Sequence, residues 1–401
     1  MKQLFDGIRV LDFTNNYAGP MAGAMLADYG AEVIHIERPV LGDDNRFFPP
    51  IVDGTSINYC TANRGKQSVT LDLKDEKAVQ IVRELVKNTD VILESFRPGV
   101  MSRLGLDYET LKKINPKVIY CSISAYGQKG PYAHKPGYDI IAQAVSGLMD
   151  VTGSSDGAPT KIGSAIGDWI GALNAFGCIG TALYAREKYG VGQQVDISLV
   201  RSLLWMAAKL DHKLTGEVTT RIGNHHTNLA PYGLFQGNNN ESIVIGVLSH
   251  KLWKIFCTVI GKPELIDDKK FATNTDRVEH KEELITIIEK WLKGFDSMTV
   301  PLQMLDEAGV PCAKVYNMID IDTDPHFNQC GWIVDMPTIE SMSSFPKRRF
   351  PADPFDFSEF QPAYKRAEEL GQSNYSVLEK IGLTRNQVDE LEETWENAHK
   401  K

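Results

Sequence analysis

The chain lacks most of the features that would assign it quickly. Its six cysteines, Cys60, Cys121, Cys178, Cys257, Cys312 and Cys330, are scattered, with no CxxC pair and no His/Cys cluster at zinc spacing. Neither a disulfide framework nor a metal site is indicated, and free thiols in a reducing compartment are the expectation. No uninterrupted apolar run reaches membrane-spanning length, and the segment Met1 to Gly7 lacks the apolar core of a signal peptide, so a cytoplasmic protein without a membrane partner is expected. Positive charge is in deficit: 43 Lys and Arg against 52 Asp and Glu give a net charge of -9. That disfavours a general nucleic-acid binder but leaves room for local basic clusters that hold a phosphorylated small molecule. There is no internal repeat and no low-complexity segment.

What is present is enough apolar residue, 42% of 401, for more than one core. The first half alternates strand-like and helix-like patterns, the signature of a parallel sheet with crossover helices. Ile8 to Phe13, Glu32 to Ile36, Val91 to Leu93, Val118 to Ile123 and Gln194 to Leu199 read as strands. Pro20 to Tyr29, Lys77 to Asn88, Tyr108 to Ile114, Tyr138 to Met149 and a long segment after Asp168 ending near Tyr189-Gly190 read as helices. After Leu204 the pattern changes. Strands Ser242 to Val247 and Ala313 to Tyr316, with helices Lys251 to Ile260 and Lys281 to Leu292, mark a second domain. The expected division is 1–204 for the first domain, 205–224 for a linker, 225–325 for a small domain, and 326–401 for a return to the first. Phe345 to Phe355 reads as a surface crossing, and Thr384 to Lys401 as a terminal helix.

Gly167-Asp168-Trp169-Ile170 closes a Gly/Ala-rich loop and opens a long apolar helix. Free N–H groups and aligned peptide dipoles there favour an ionised Asp168, which could serve as an N-cap or as a carboxylate nucleophile. Ala18-Gly19-Pro20-Met21-Ala22-Gly23, between a strand and a helix, imitates a dinucleotide-binding turn. It lacks GxGxxG, and the acidic Glu37 is followed by Arg38, which suits a phosphate better than a ribose. Arg38, Lys74, Arg97 and Arg103 fall at or just beyond expected strand ends or in the loops that follow, where open parallel sheets place ligands, so together they could hold a 3′-phosphate and a diphosphate.

The series Val10-Leu11-Asp12-Phe13, Ala18-Gly19-Pro20, Gly30-Ala31-Glu32-Val33-Ile34, Ile36-Glu37-Arg38-Pro39 and Ser68 to Lys74 continues with Phe96-Arg97-Pro98-Gly99, Arg103-Leu104-Gly105, Ala125 to Pro131, Gly137-Tyr138-Asp139 and Gly192 to Leu199. In this order it resembles the class III CoA-transferases, the group of formyl-CoA and carnitine CoA-transferases related to the 2-methylacyl-CoA racemases. The resemblance covers essentially the whole chain. It implies an α/β protein whose Rossmann-like large domain is built from both chain ends, joined to a smaller α+β domain in an interlocked homodimer. By position it makes Asp168 the nucleophile of a ping-pong transfer, Arg38, Leu71, Lys74, Arg97 and Arg103 the CoA contacts, and Tyr138, Tyr17 and Tyr59 the acyl pocket. No resident cofactor is implied, since the coenzyme A thioester is itself a substrate.

Two departures shape the expected chemistry. Racemases pair the aspartate with a histidine where this chain has Tyr138, too weak a base for proton transfer, so transfer is favoured over the alternatives of a racemase or a non-catalytic CoA-binding module. Tyr17 stands where the formyl-transferase type has glutamine, and Gly223-Asn224-His225-His226-Thr227-Asn228 replaces its glycine-rich lid before Leu229 to Phe235. Oxalate and formate are therefore not the expected acids. A bulkier acyl group with an apolar tail is expected; a 2-hydroxy acid like 2-hydroxyisocaproate or its enoyl form is favoured, with aryl-lactates, carnitine-like acids and short dicarboxylates as the other candidates. His225-His226 read as part of a loop rather than a metal site, because adjacent histidines point in different directions.

Overall fold

The computed structural model describes residues 2–207 and 210–399. Of these, residues 2–148, 161–207 and 326–399 form one compact unit, and 149–160 and 210–325 a second.

The first unit is organised by a six-stranded parallel sheet. Its strands are β1 (Arg9–Phe13), β2 (Glu32–Glu37), β3 (Gln67–Thr70), β4 (Val91–Glu94), β5 (Ile119–Ser124) and β6 (Gln193–Ser198), in the spatial order β3-β2-β1-β4-β5-β6. Every pairing is parallel, with Leu11 beside Ile34 on one side and Ile92 on the other. Both faces are covered, so the central strands are short, continuous apolar runs rather than alternating ones. Val10, Val33, Leu93 and Ile123 face helices α1 (Ala18–Asp28) and α4 (Ile166–Tyr189). Leu11, Ile34, Val69 and Ile92 face α2 (Glu76–Val86) and the C-terminal region.

Helix α4 is long and apolar enough to cross a membrane by length and composition, although the sequence showed no single unbroken run of that length. One face of it packs on the core. Gly171, Ala172, Ala175, Ile179 and Ala182 are buried, and a Cβ at Gly171 would stand 2.5 Å from Leu199 and 3.8 Å from the Ala18 side chain. Small residues on this face let α1 and α4 approach closely. The helix stops at Gly190, whose φ of 73° is the left-handed conformation a helix end favours.

The C-terminal residues complete this unit. The C-terminal helix (Arg385–His399) buries Trp395, whose indole N–H donates to Oδ2 of Asp75 at 2.9 Å, the same carboxylate that caps α2. Phe345 to Phe355 is not a bare crossing: Lys347–Pro351 pairs antiparallel with Ile333–Pro337, and Phe350 is buried. Its proline and basic residues masked a strand whose inward side chain is the apolar one.

The second unit has a three-stranded antiparallel sheet of Cys312–Lys314, Ser242–Gly246 and Tyr232–Gln236, in that spatial order. Helices His250–Val259 and Lys281–Leu292 bury Trp253, Phe256 and Ile288 against it. Residues 149–160, expected in the first domain, belong here. Asp150 accepts from Arg221 at 2.8 Å, and Gly153 accepts the Gly223 N–H at 3.0 Å, long-range partners that local pattern does not reveal. The helix expected to run to Met149 accordingly ends at Val145, and α3 spans Asp139–Val145.

Candidate active site

Asp168 is not the N-cap of α4. Ala165 holds that position, and Asp168 is the third helical residue. Its carboxyl group accepts no hydrogen bond from the described residues. The turn entering α4 is held instead by Asp139. Oδ1 of Asp139 accepts the Gly167 N–H at 2.7 Å and Oδ2 accepts Nε2 of Gln143 at 2.7 Å, while Oε1 of the fully buried Gln143 accepts the Ile162 N–H at 2.9 Å. A Cβ at Gly167 would lie 2.9 Å from Oδ1 of Asp139, so glycine is what admits this contact.

The helix N-terminus was expected to keep Asp168 ionised. Burial outweighs it: desolvation, reinforced by the negative charge of Asp139, pushes the Asp168 carboxyl up to about 7. The group is thus poised near neutrality.

Asp168 opens on a cavity of about 670 Å³ lined by Asn16, Tyr17, Asp44, Asn45, Phe47, Phe48, Tyr138 and Ala165. The edge of the Tyr17 ring meets Trp169 with centroids 5.3 Å apart, and Tyr138, at the start of α3, is 68% exposed. Phe47 and Phe48 are exposed aromatics on the short helical turn Asp44–Phe47 and just after it. Such exposure of large apolar side chains beside a cavity is what an apolar ligand would cover.

This wall rests on a buried polar network at the ends of β1 and β2. Oδ1 of Asp43 accepts the N–H groups of Asn16 and Asn45 at 3.1 and 2.9 Å, and Nδ2 of Asn45 donates to the Asn16 carbonyl at 2.5 Å. These bonds hold Asn16 at a φ of 71° immediately before Tyr17. Beneath them, the fully buried His35 lies between Asp12 and Asp43, 3.5 and 3.7 Å from their carboxylates. Its own burial disfavours charge, but the flanking carboxylates win and raise His35 to about 9. Lys66 donates to Asp12 at 2.6 Å, and with His35 holds that carboxylate well below the usual range against the penalty of its burial.

Two residues singled out from sequence belong to this network. Tyr59 does not line the pocket. It is 1% exposed, its hydroxyl donates to the Glu368 carbonyl at 3.2 Å, and its ring lies under the Arg46 guanidinium. Glu37 is also buried. Its carboxylate accepts from Arg46 at 2.7 and 2.8 Å and from Ser68 at 2.6 Å, which leaves it unavailable to a ribose. These bonds lower it to about 2 despite its burial.

The cationic candidates do share one edge of the sheet. Arg38 follows β2, Lys74 follows β3, Arg97 follows β4, and Arg103 ends the short helix Val100–Arg103; all four are exposed. Leu71 differs: its side chain is buried in the core, and its N–H donates to the Glu37 carbonyl at 2.9 Å. The loop carrying Arg97 is fixed by Glu94, whose Oε2 accepts the Phe96 N–H at 2.9 Å. The Ser95 hydroxyl accepts the Asn15 N–H at 3.0 Å and so ties this loop to the pocket wall.

Asn16, Asp44, Asn45, Phe47 and Phe48 were not picked out from sequence, and Asp139 appeared there only within Gly137-Tyr138-Asp139, with no role assigned. The available signal was Phe47-Phe48, an aromatic pair beside Asp43-Asp44-Asn45 in a loop at a strand end. His225 and His226 lie in the second unit, ahead of Tyr232–Gln236. His226 donates its N–H to the Tyr232 carbonyl at 2.9 Å, and the His225 ring packs edge-on to Phe235 at 5.1 Å. Among the described residues no group of three His, Cys, Asp or Glu side chains is arranged to hold a metal ion.

The family model described as CoA-transferase family III matches residues 5–374. The chain belongs to that family. It is therefore a CoA-transferase, an acyl-CoA-dependent enzyme class. It is 42% identical over 322 residues to an acetyl-CoA:oxalate CoA-transferase of Acetobacter aceti, covering 79% of this chain and 82% of the relative. It is 35% identical over 394 residues to a succinate–glutarate CoA-transferase of Agrobacterium fabrum, covering 95% and 96%. Among solved structures, a CAIB/BAIF family protein from Brucella suis matches with a TM-score of 0.84 and 32% identity over 95% of this chain and all of that one.

Proposed function

We propose that this enzyme moves CoA from an acyl-CoA to a free carboxylic acid by a ping-pong route through Asp168. The observation that carries this is a half-buried, hydrogen-bond-free carboxyl at the first turn of α4, facing a cavity at the same end of the sheet as Arg38, Lys74, Arg97 and Arg103. The Asp168 carboxylate attacks the thioester carbonyl of the donor, forming an acyl-aspartyl anhydride and releasing CoA thiolate. The thiolate attacks the aspartyl carbonyl, giving an aspartyl-CoA thioester and the free donor acid. The acceptor carboxylate then attacks this thioester, and the released thiolate takes the new acyl group and returns Asp168 to its starting state. Each step exchanges one acyl bond for another.

Three requirements follow: a dry site for the anhydride, fixed CoA, and a pocket for the acid. Arg38, Lys74, Arg97 and Arg103 supply charge for the phosphates of CoA, with the backbone of Leu71 alongside. Tyr17, Tyr138, Phe47 and Phe48 offer apolar walls with two hydroxyl groups, which suits an acid with an apolar body, a 2-hydroxy acid or its enoyl form included. A homodimer, as the family resemblance implies, working in the cytoplasm completes the proposal.

The experiment mixes an acyl-CoA, a panel of free acids and the protein, and follows new thioesters by mass, with hydroxylamine to trap the aspartyl-CoA adduct. The expected result is transfer with a trappable enzyme adduct. Transfer without any covalent enzyme species would overturn the route, and a best rate with oxalate or formate would overturn the acid class. The oxalate-acting relative makes oxalate the decisive control.

A further inference from the structure

Arg38 and Asp44 meet across the turn that follows β2. Nε and Nη2 of Arg38 donate to the Gly42 carbonyl at 3.2 and 3.1 Å, and Nη2 also pairs with Oδ1 of Asp44. Both side chains are about half exposed, 50% and 46%. Asp44 has a second anchor that does not depend on Arg38. Its Oδ2 accepts Nδ2 of Asn15 at 3.1 Å, and its N–H donates to Oδ1 of Asn15 at 2.9 Å. The Asp44 carboxylate therefore stays in place if Arg38 turns away. It also lines the same cavity as Asp168, and none of the described residues lining that cavity is Lys or Arg.

We infer that Asp44 is a specificity-determining residue: it occupies Arg38 while no anion is bound, yields it to a phosphate of CoA, and then stands as an uncompensated carboxylate on the wall of the acyl pocket. This rests on the assignment of Arg38 to CoA under the proposed function. The exchange is cheap in the required direction. An exposed ion pair is weak because both charges stay largely solvated, whereas a phosphate offers a planar guanidinium a multiply charged, bidentate partner. Once the exchange has occurred, an acid with a second carboxylate meets Asp44 in the pocket and is disfavoured by like charge in a partly desolvated space. An acid with one carboxylate and an uncharged tail places that tail against Phe47 and Phe48 without penalty. The substrate class is thus monocarboxylic, selected only after CoA has bound.

The test uses the full chain with CoA as titrant in calorimetry, and two matched acid pairs, butyrate with succinate and pentanoate with glutarate, as acceptors. Asp44→Asn keeps the shape and the Asn15 contact while removing the charge. It is expected to bind CoA about two- to five-fold tighter, the range that the worth of a surface pair allows, and Arg38→Ala to bind it more weakly. The diacid-to-monoacid ratio of kcat/KM is expected to rise in Asp44→Asn for both pairs. An unchanged ratio overturns the inference whatever happens to CoA affinity. Unchanged CoA affinity in Asp44→Asn, with Arg38→Ala weakened, overturns the exchange on Arg38. If Arg38→Ala binds CoA as the wild type does, the CoA assignment fails and takes this inference with it. Absence of transfer to any of the four acids or to the wider panel is the separate failure of the proposed function.

Discussion

Oδ1 of Asp139 accepts the backbone N–H of Gly167, one residue before Asp168, so one carboxylate fixes the position of another and also raises its affinity for a proton. Asp139 is a positioning residue in this geometry. It sets where the helix begins and how readily Asp168 ionises, and the consequences for nucleophile, pH profile and stability can be separated.

Removing the nucleophile should abolish transfer without abolishing binding. Asp168→Ala is expected to lower kcat by at least about 10³-fold, the scale seen when a covalent group is lost, while calorimetric CoA affinity stays within about two-fold of wild type. Retained turnover in this variant would show that another group carries the acyl chain.

The pH dependence has a definite sign. A nucleophilic carboxylate acts only when ionised, and Asp168 sits at about 7, so kcat/KM for the acyl-CoA should fall as pH drops from 8 to 6. Asp139→Asn removes the neighbouring negative charge and should move the midpoint to lower pH. Its Oδ1 still accepts the Gly167 N–H, although the amide then faces Nε2 of Gln143, a mismatch costing about 1 kcal/mol in stability. A purely structural role for Asp139 would lower Tm without moving the midpoint of the rate profile.

His35 makes a prediction about stability instead. Its pKa is raised from 6.5 to about 9, so its contribution is fully present below pH 6.5 and is lost as pH rises through 9. The difference in unfolding free energy between wild type and His35→Gln should be largest near pH 6, on the order of 3 kcal/mol, and shrink by pH 9.5. Chemical denaturation at the two pH values measures it. A difference that does not vary with pH would mean that His35 is neutral in its pocket.

Five of the six parallel strands were legible, the central ones because they are buried on both faces and appear as apolar runs between amphipathic helices, as Val91 to Leu93 after Lys77 to Asn88; Gln67–Thr70, short and half polar at the sheet's edge, was not read as a strand. Tyr232–Gln236 and Lys347–Pro351 were not either, because a glycine in the first and prolines and basic residues around the second conceal strands that only long-range pairing stabilises. The site was legible in part for the same reason. Asp168, Tyr17 and Tyr138 lie next to helix starts and are found together in the cavity. Tyr59 carries the same kind of side chain close in sequence, yet its hydroxyl is taken by Glu368, more than three hundred residues away. Burial decided by a distant chain segment has no local signature, and neither does the Asp139 bond to Gly167.

The raised affinity of Asp168 for a proton also implies a stability cost that the enzyme tolerates for function. A group whose folded pKa lies above its unfolded value contributes stability at low pH and loses it as pH rises through the folded value, here from the ordinary 3.8 to about 7. At pH 8 the wild type must keep a charged carboxyl in a partly desolvated place with no hydrogen-bond donor among the described residues, while Asp168→Asn avoids that charge. The variant should therefore be more stable than the wild type at pH 8, on the order of 2 kcal/mol, and the gain should be smaller at pH 5, where the folded wild type is already protonated. Thermal unfolding of both proteins at the two pH values gives the four numbers required. Equal stability of the pair at pH 8 would show that Asp168 is well solvated, and would remove the physical basis for its reactivity.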